Sequence, residues 1–405
     1  MRSKVMAEQS HPPQARRAIL GLGASALFAM ALGGCQLVPK SAPAPQEPPP
    51  PVRTQQRPPE PEVTPGLPQD ERRHRIAVLV PLTGGNAGVG QSIANAANLA
   101  LLDSGGAGVR ITVYDTAKGA AAAANQALAD GNALFLGPLL SEDVRAVAPV
   151  AARRRVPVVA FSNDVSVAGN GVYLMGFTPG QSISRVVRYA GSQGVQRFAA
   201  LAAEGVYGRR ASQAMIDAVT RSGGRLVAVQ PIERGVAGMR SAITKLNAAG
   251  RFDAVLIADS GRVAASAAPN LRNGPSGEAR ILGTELWSTE ADLGRNAALR
   301  GAWYAAPSDT MFNQLRERYR SRYGANPYRL ASLGYDAVLL AVRVGKVVRY
   351  GQPFPDFALR DTTGFTGVDG AFRFAASGVA ERALEVREVT AGGTKVVSPA
   401  ARDFD

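Results

Sequence analysis

One stretch near the start of the patterned part of the chain, residues 75–103, constrains the fold more than any other. Residues 75–80 are a short apolar, β-branched run, long enough for one buried strand. A loop with glycine, threonine and asparagine follows at 81–86, and from Val89 apolar residues recur at helical spacing. Strand, glycine loop and helix form the opening unit of a parallel α/β sheet, in which ligands bind beyond the carboxyl ends of the strands.

The glycines of this loop favour a turn over a phosphate site. Gly84, Gly85, Gly88 and Gly90 match neither G-x-G-x-x-G nor G-x-x-x-x-G-K-[ST], and no lysine stands at the start of the helix. We therefore interpret these glycines as residues of a tight turn.

Strand and helix patterns alternate regularly beyond the loop. The predicted strands are 75–80, 109–114, 133–136, 156–161, 172–177, 197–202, 225–230, 254–258, 280–283 and 302–306. The predicted helices are 89–103, 120–130, 142–154, 181–193, 209–222, 239–249, 262–271, 310–323 and 330–344. This alternation predicts βαβ units and parallel sheets, in two similar lobes because ten strands are too many for one such sheet. Beyond residue 345, short strands at 371–374, 384–389 and 394–397 predict a small antiparallel ending.

The first 34 residues are predicted to be a lipoprotein signal peptide. An arginine pair precedes the apolar run 18–32, which is too short for a comfortable membrane span. The run ends Leu-Gly-Gly-Cys, which resembles a bacterial lipobox, so Cys35 is predicted to be lipidated and to begin the mature chain. Gln36 after it implies sorting to the outer membrane. An ordinary secretory peptide and a twin-arginine signal are the alternatives.

Residues 35–73 are predicted to be a disordered, proline-rich linker. Proline fixes φ and removes hydrogen-bond donors, so the segment should be an extended polyproline-like chain. At ~3.1 Å per residue it could reach on the order of 100 Å. A spacer without a partner is favoured over a recognition motif.

The usage of cysteine and histidine excludes several chemistries. The only cysteine is Cys35, and the only histidines, His11 and His74, precede the first strand. Cysteine–histidine and serine–histidine–aspartate catalysis and histidine-ligated zinc are therefore excluded from the folded part. We expect no enzyme, no cofactor and no metal. The net charge of +14 favours acidic partners, while an aromatic content of 6% argues against nucleic-acid binding by stacking.

Seven short motifs, in order, resemble the type I periplasmic binding-protein family, of the branched-chain amino-acid receptor type. They stand at 76–84, 114–116, 136–141, 156–162, 207–208, 335–338 and 364–370. The resemblance covers about 75–397. It implies two Rossmann-like lobes with parallel central sheets, joined by three crossovers. The predicted boundaries are 74–190 plus 302–345 for lobe one and 191–301 plus 346–405 for lobe two.

The resemblance also implies a ligand in the cleft between the lobes, a small polar molecule. Its candidate contacts from lobe one are Thr83, Asn86, Ser141, Ser162 and Asn163, and those from lobe two are Tyr207 and Glu285. Backbone N–H groups near Ser141 could hold a carboxylate, and Glu285 stands where the family often places an acid for an α-amino group. Helix capping by Ser141, and loop structure for Ser162 and Asn163, are the alternatives.

Two functions from different classes follow. The lipobox and the linker make the chain similar to the outer-membrane lipoprotein activators of penicillin-binding proteins. This implies a non-catalytic lipoprotein, anchored at the periplasmic face of the outer membrane, that binds and stimulates a peptidoglycan synthase. Some of those activators carry a helical N-terminal domain where this chain has proline-rich sequence. The alternative is a periplasmic solute receptor of an ABC transporter for amino acids or related small molecules.

Overall fold

The computed structural model describes residues 73–106, 108–233, 235–290, 292–402 and 404. The predicted signal peptide, Cys35 and residues 35–72 of the predicted linker lie outside the described residues. Within the described part of the chain, no helix is both long and apolar enough to cross a membrane.

Lobe one begins with five parallel strands and the helices between them. In chain order these are β1 (His74–Val80), α1 (Ala87–Asp103), β2 (Val109–Asp115), α2 (Ala120–Ala129), β3 (Leu134–Leu136), α3 (Ser141–Ala152), β4 (Val158–Ala160) and β5 (Val172–Leu174). The strand order is β2-β1-β3-β4-β5, and Ile76 pairs with Ile111 on one side and Leu134 on the other. Residues of β1 alternate between two cores: Ile76 and Val78 face one side, Ala77 and Leu79 the other.

Lobe two has the same plan. It contains α4 (Pro179–Ser192), β6 (Arg197–Ala203), α5 (Val206–Arg221), β7 (Arg225–Ile232), α6 (Val236–Ala248), β8 (Ala254–Ala258), α7 (Gly261–Arg272), β9 (Arg280–Gly283) and β10 (Trp303–Ala306). The strands from β6 to β10 are parallel and again carry helices on both faces.

The chain then returns to lobe one. It forms α8 (Asp309–Tyr323), α9 (Ala331–Gly345), the short α10 (Asp356–Leu359), and an antiparallel sheet of β11 (Phe365–Gly367), β12 (Gly370–Phe374) and β13 (Ala380–Arg382). Helix α9 packs against α1. Leu333 of α9, Ile93 of α1 and Phe372 of β12 share one buried core. Residues far apart in sequence therefore complete lobe one.

The last hairpin, β14 (Glu385–Thr390) and β15 (Gly393–Ser398), lies in lobe two. It pairs antiparallel with β10 and gives a seven-stranded sheet of order β15-β14-β10-β9-β8-β6-β7. The chain thus crosses between the lobes three times, after β5, β10 and β13, which confirms the predicted two-lobe α/β fold. The second sheet is mixed and not wholly parallel, because the returning hairpin adds to its edge.

The lobe boundaries differ from those predicted in three places. The predicted boundaries put α4 and β10 in lobe one, but Ile183 and Val186 of α4 pack in lobe two, and β10 lies in the sheet of lobe two. Strands β11–β13 were placed in lobe two, whereas Phe365 and Phe374 fill the core of lobe one. The physical reason is core volume: these phenylalanines cover the apolar face of α9, which local patterns cannot show.

Candidate functional site

A cleft of about 450 Å³ lies between the lobes. Lobe one contributes residues that follow β1, β3 and β4, and lobe two contributes the turn Glu285–Thr289 after β9. This is where the ends of parallel strands are expected to place a ligand. The apolar walls are formed by Val89, Leu139, Leu140, Phe161, Phe177, Leu286, Pro307 and Leu330. Mainly apolar walls and a volume of this size are typical of a small-molecule site.

Glu285 is the acidic group of the cleft. Its Oε1 lies 3.0 Å from the hydroxyl of Tyr207, and its Oε2 accepts a hydrogen bond from Ser182. Burial raises the pKa of Glu285, and burial together with the Glu285 charge raises the pKa of Tyr207. The Tyr207 hydroxyl also lies 3.0 Å from Thr284 Oγ1. The structure therefore brings Tyr207 and Glu285 together and gives both carboxylate oxygens protein partners.

The loop after β4 holds two further candidates. Ser162 is 3% exposed, and its hydroxyl accepts a hydrogen bond from the backbone N–H of Asp164 at 3.1 Å. Asn163 is exposed and lies on the cleft wall. In this structure the Ser162 hydroxyl bonds within its own loop, and Asn163 forms part of the surface of the cleft.

The remaining candidates are three residues of lobe one, Ser141, Thr83 and Asn86. Ser141 is the first residue of α3, with Leu140 in the capping position, and its hydroxyl lies 3.3 Å from Arg145 Nη1. Thr83 donates a hydrogen bond to Asp115 at 2.8 Å and lines a smaller cavity of about 370 Å³. Asn86 lines both that cavity and the cleft. Of the seven predicted contacts, Asn86, Asn163 and Glu285 lie on the cleft wall.

Three arginines and one aspartate line a second space between the lobes, which shares Asn163 with the cleft. We call this group, Arg145, Arg209, Arg210 and Asp164, the arginine mouth; it borders a space of about 640 Å³. Asp164 accepts a hydrogen bond from Arg145 Nη2 at 2.9 Å and forms an ion pair with Arg210 of α5. Burial opposes ionisation of Asp164, but hydrogen bonds from Ser166 and Arg210 hold its pKa well below the usual range. The ion pair joins the two lobes.

Arg329 links the cleft to a buried ionic cluster, which we define as Arg329, Asp336, Asp369 and Arg382. Arg329 lies on the cleft wall, 4.0 Å above the Phe312 ring, and its Nη1 is 2.5 Å from Asp369 Oδ1. Burial and the neighbouring Asp369 charge raise the pKa of Asp336 to about 7. Arg382 donates to the Met175 carbonyl, at the first crossover, at 2.6 Å.

Sequence reasoning missed both the arginine mouth and the buried ionic cluster. Arg210 and Asp164 are 46 residues apart, and Asp369 follows Asp336 by 33. Isolated charges at such separations look like ordinary surface residues. The one local signal was the Arg209-Arg210 pair, which Gly208 separates from the predicted contact Tyr207. Among the described residues, no group of three or more histidine, cysteine or acidic side chains could hold a metal ion.

The sequence resembles that of a known protein over part of its length. The protein RP748 of Rickettsia prowazekii, itself uncharacterized, is 26% identical over 149 residues, which are 36% of this chain and 40% of that protein. The chain therefore spans well under half the length of that relative.

Solved structures match over most of this chain. A protein assigned to branched-chain amino acid ABC transport in Rhodospirillum rubrum has a TM-score of 0.68 at 22% identity, over 80% of this chain and 100% of its own. A Desulfitobacterium hafniense ABC substrate-binding protein in complex with Leu has a TM-score of 0.61 at 17%, over 80% and 100%. Full-length LpoA of Haemophilus influenzae has a TM-score of 0.63 at 18%, over 82% and 60%. Identities this low establish the fold alone.

The family model for periplasmic binding proteins matches residues 74–394, from the first residue of β1 to the second residue of β15. The two lobes, the three crossovers and the cleft at the strand ends agree with that match. The chain belongs to the periplasmic binding protein family.

Proposed function

We propose that the chain is a non-catalytic outer-membrane lipoprotein that binds and stimulates a penicillin-binding peptidoglycan synthase. The observation that carries the proposal is the internal bonding of the predicted ligand contacts. Glu285 accepts hydrogen bonds from Ser182 and Tyr207. The Ser162 hydroxyl accepts a hydrogen bond from the backbone N–H of Asp164. A receptor for free amino acids needs such groups for its ligand, and a ligand would here have to displace protein partners.

The N-terminal sequence supports the same proposal. Cys35 in its lipobox would anchor the chain, and the proline-rich segment could carry the lobes on the order of 100 Å from the anchor. Residues 1–34 carry a net charge of +3, so the chain from Cys35 onward has a net charge of +11. This charge would speed approach to an acidic protein surface or to an acidic wall polymer, and salt should weaken that attraction. The fold likeness to full-length LpoA is compatible with this role.

A reconstituted assay tests the proposal. The full chain, purified in detergent, is added to each purified class A synthase from the same genome, and glycan polymerisation and crosslinking are followed. We expect the rate of at least one synthase to rise several-fold, and less so at high salt. Unchanged rates with every synthase, together with micromolar binding of a free amino acid, would reject the proposal.

The second candidate is a solute receptor, and the cleft itself favours it. A space of about 450 Å³ with apolar walls, Glu285 on one side and Arg329 on another, is suited to a small ligand with one apolar part. Calorimetric titration of the full chain with leucine and with benzoate measures this function directly. Micromolar binding without synthase stimulation would favour the receptor; no heat with either compound would argue against it.

A further inference from the structure

We propose that the arginine mouth is a binding site for the carboxylate of an acidic peptide whose apolar part lies in the cleft. The inference rests on the cleft of the second candidate function, and it does not require a synthase partner. The two lobes would then hold opposite sides of one ligand.

The charges of the mouth are unbalanced. Arg145 comes from α3 in lobe one, whereas Arg209 and Arg210 come from α5 in lobe two. Asp164 is the one acidic residue that lines this space among the described residues. Three guanidinium groups around one carboxylate leave an excess of positive charge, which attracts anions.

Asp164 shows how the mouth holds a carboxylate. One of its oxygens accepts from Arg145 and the other from Arg210, so guanidinium groups from both lobes meet on a single planar group. Each of the two is a charge-assisted hydrogen bond, the strong kind that arginine forms with carboxylates. The exposed side chain of Arg209 borders the same space and has no hydrogen-bond or ion-pair partner within the described residues. A second carboxylate, brought by a ligand, would supply that partner.

The mouth and the cleft adjoin at Asn163, which lines both. One side of Asn163 is bounded by apolar walls and the other by arginines. Spaces of about 450 and 640 Å³ exceed what a single amino acid fills and match the range of larger organic ligands. A short peptide with an apolar residue at one end and a carboxylate at the other has this length and polarity.

Two tripeptide probes of nearly equal size test the inference by calorimetric titration of the full chain in detergent. Leu-Ala-Glu carries two carboxylates, and the amide Leu-Ala-Gln-NH₂ carries none. We expect the acidic peptide to bind at least about tenfold more tightly, by a margin that shrinks as salt increases. Inorganic phosphate serves as a third probe, and we expect it to compete only weakly because it offers nothing to the apolar walls.

Arg209→Gln is the test variant, and Arg188→Gln the matched control. Arg188 is also exposed, lies on α4 outside the mouth, and has no side-chain hydrogen bond within the described residues. We expect Arg209→Gln to abolish most of the preference for the acidic peptide and Arg188→Gln to preserve it. Circular dichroism of both variants checks the fold.

Three results would overturn the inference: equal affinity for both peptides, an undiminished preference in Arg209→Gln, or no binding of Leu-Ala-Glu. If leucine and the neutral peptide bind while the preference is missing, the receptor function survives and the mouth is not a carboxylate site. If the preference is present and no synthase responds, the mouth stands and the synthase proposal fails.

Discussion

A Cβ atom on Gly90 would lie 1.8 Å from the carbonyl oxygen of Pro81. The first turn of α1 therefore rests directly on the backbone that leaves β1. Lobe two repeats the arrangement, because a Cβ atom on Gly208 would lie 1.5 Å from the carbonyl oxygen of Ala203. In both lobes a glycine near the start of a helix lets that helix approach the end of its strand and shape the edge of the cleft.

We predict that Gly90→Ala destabilises the fold by about 3 kcal/mol or more, because a backbone atom cannot yield as a side chain can. Gly85→Ala is the control, since a Cβ atom there meets nothing within 4 Å. Urea unfolding followed by circular dichroism compares the two midpoints. A similar midpoint for both variants would show that the helix can shift away from Pro81.

The ion pair between Arg210 and Asp164 should hold the lobes together. Replacing Arg210 by glutamine removes a charge-assisted hydrogen bond and should cost about 1–2 kcal/mol. Small-angle scattering should show a larger radius of gyration for this variant. Arg295→Gln is the control, because its pair with Asp292 is largely exposed and stays within lobe two. An unchanged radius with Arg210→Gln would mean that other contacts set the closure of the lobes.

The buried ionic cluster should make stability fall as pH rises. The pKa of Asp336 is raised from 3.8 to about 7, by burial first and by Asp369 second, with Arg382 and the Val368 N–H opposing. The stability that protonated Asp336 contributes to the folded chain is therefore complete below pH ~4 and is lost as the pH rises through 7. The free energy of unfolding should fall by no more than about 1.4 kcal/mol per pH unit over this range.

The variant Asp336→Asn should lack the part of the pH dependence that Asp336 causes. The free energy of unfolding of the natural chain, minus that of Asp336→Asn, should decrease steadily between pH 4 and 7 in urea titrations. A difference that is constant with pH would show that Asp336 keeps an ordinary pKa in the folded chain.

Glu285→Gln separates the two candidate functions. The amide oxygen can still accept from Ser182 or Tyr207, and the cost of burying a charge disappears, so the variant should gain stability relative to the natural chain as pH rises. We expect synthase stimulation to be retained. If the chain is a receptor for amino acids, leucine affinity should fall at least about tenfold. Glu278→Gln, an exposed acid elsewhere in lobe two, should change neither.

Cys35→Ala tests the predicted lipid anchor, and Cys35 lies outside the described residues. We predict that the variant is not labelled by a radioactive fatty acid and that it fractionates as a soluble or uncleaved protein. Labelling that persists in the variant would rule out Cys35 as the lipidated residue.

The sequence was sufficient for most of the strands, for a physical reason. Residues 254–258 and 280–283 form strands with the predicted limits, because short buried runs bounded by polar turns leave little choice of register. The strand predicted over 172–177 ends earlier, at Leu174, because the chain leaves the sheet at Met175 to cross to the other lobe. Nothing in the local pattern marks that departure.

The site was less predictable than the fold. Tyr207 and Glu285 were found through the family resemblance, and their mutual hydrogen bond depends on packing across lobe two. Arg209 and Arg210 resemble any pair of charges on a surface helix until the fold brings Asp164 of lobe one opposite Arg210. The crossovers between the lobes decide which distant charges come close together, and the spacing of residues in the sequence does not reveal such contacts.

The packing of α1 against α9 has a consequence for the synthesis and folding of the chain. The apolar face of α1 is fully buried only after α9, more than two hundred residues later in the chain, has been synthesised and has packed against it. A ribosome that stalls after β10, or a protease that removes everything beyond Ala306, leaves lobe one without α9, β12 and their aromatic residues. No uninterrupted piece of this chain holds a whole lobe. Truncated products should therefore be recognised and degraded as unfolded chains, so that the cell accumulates either the complete binding protein or none.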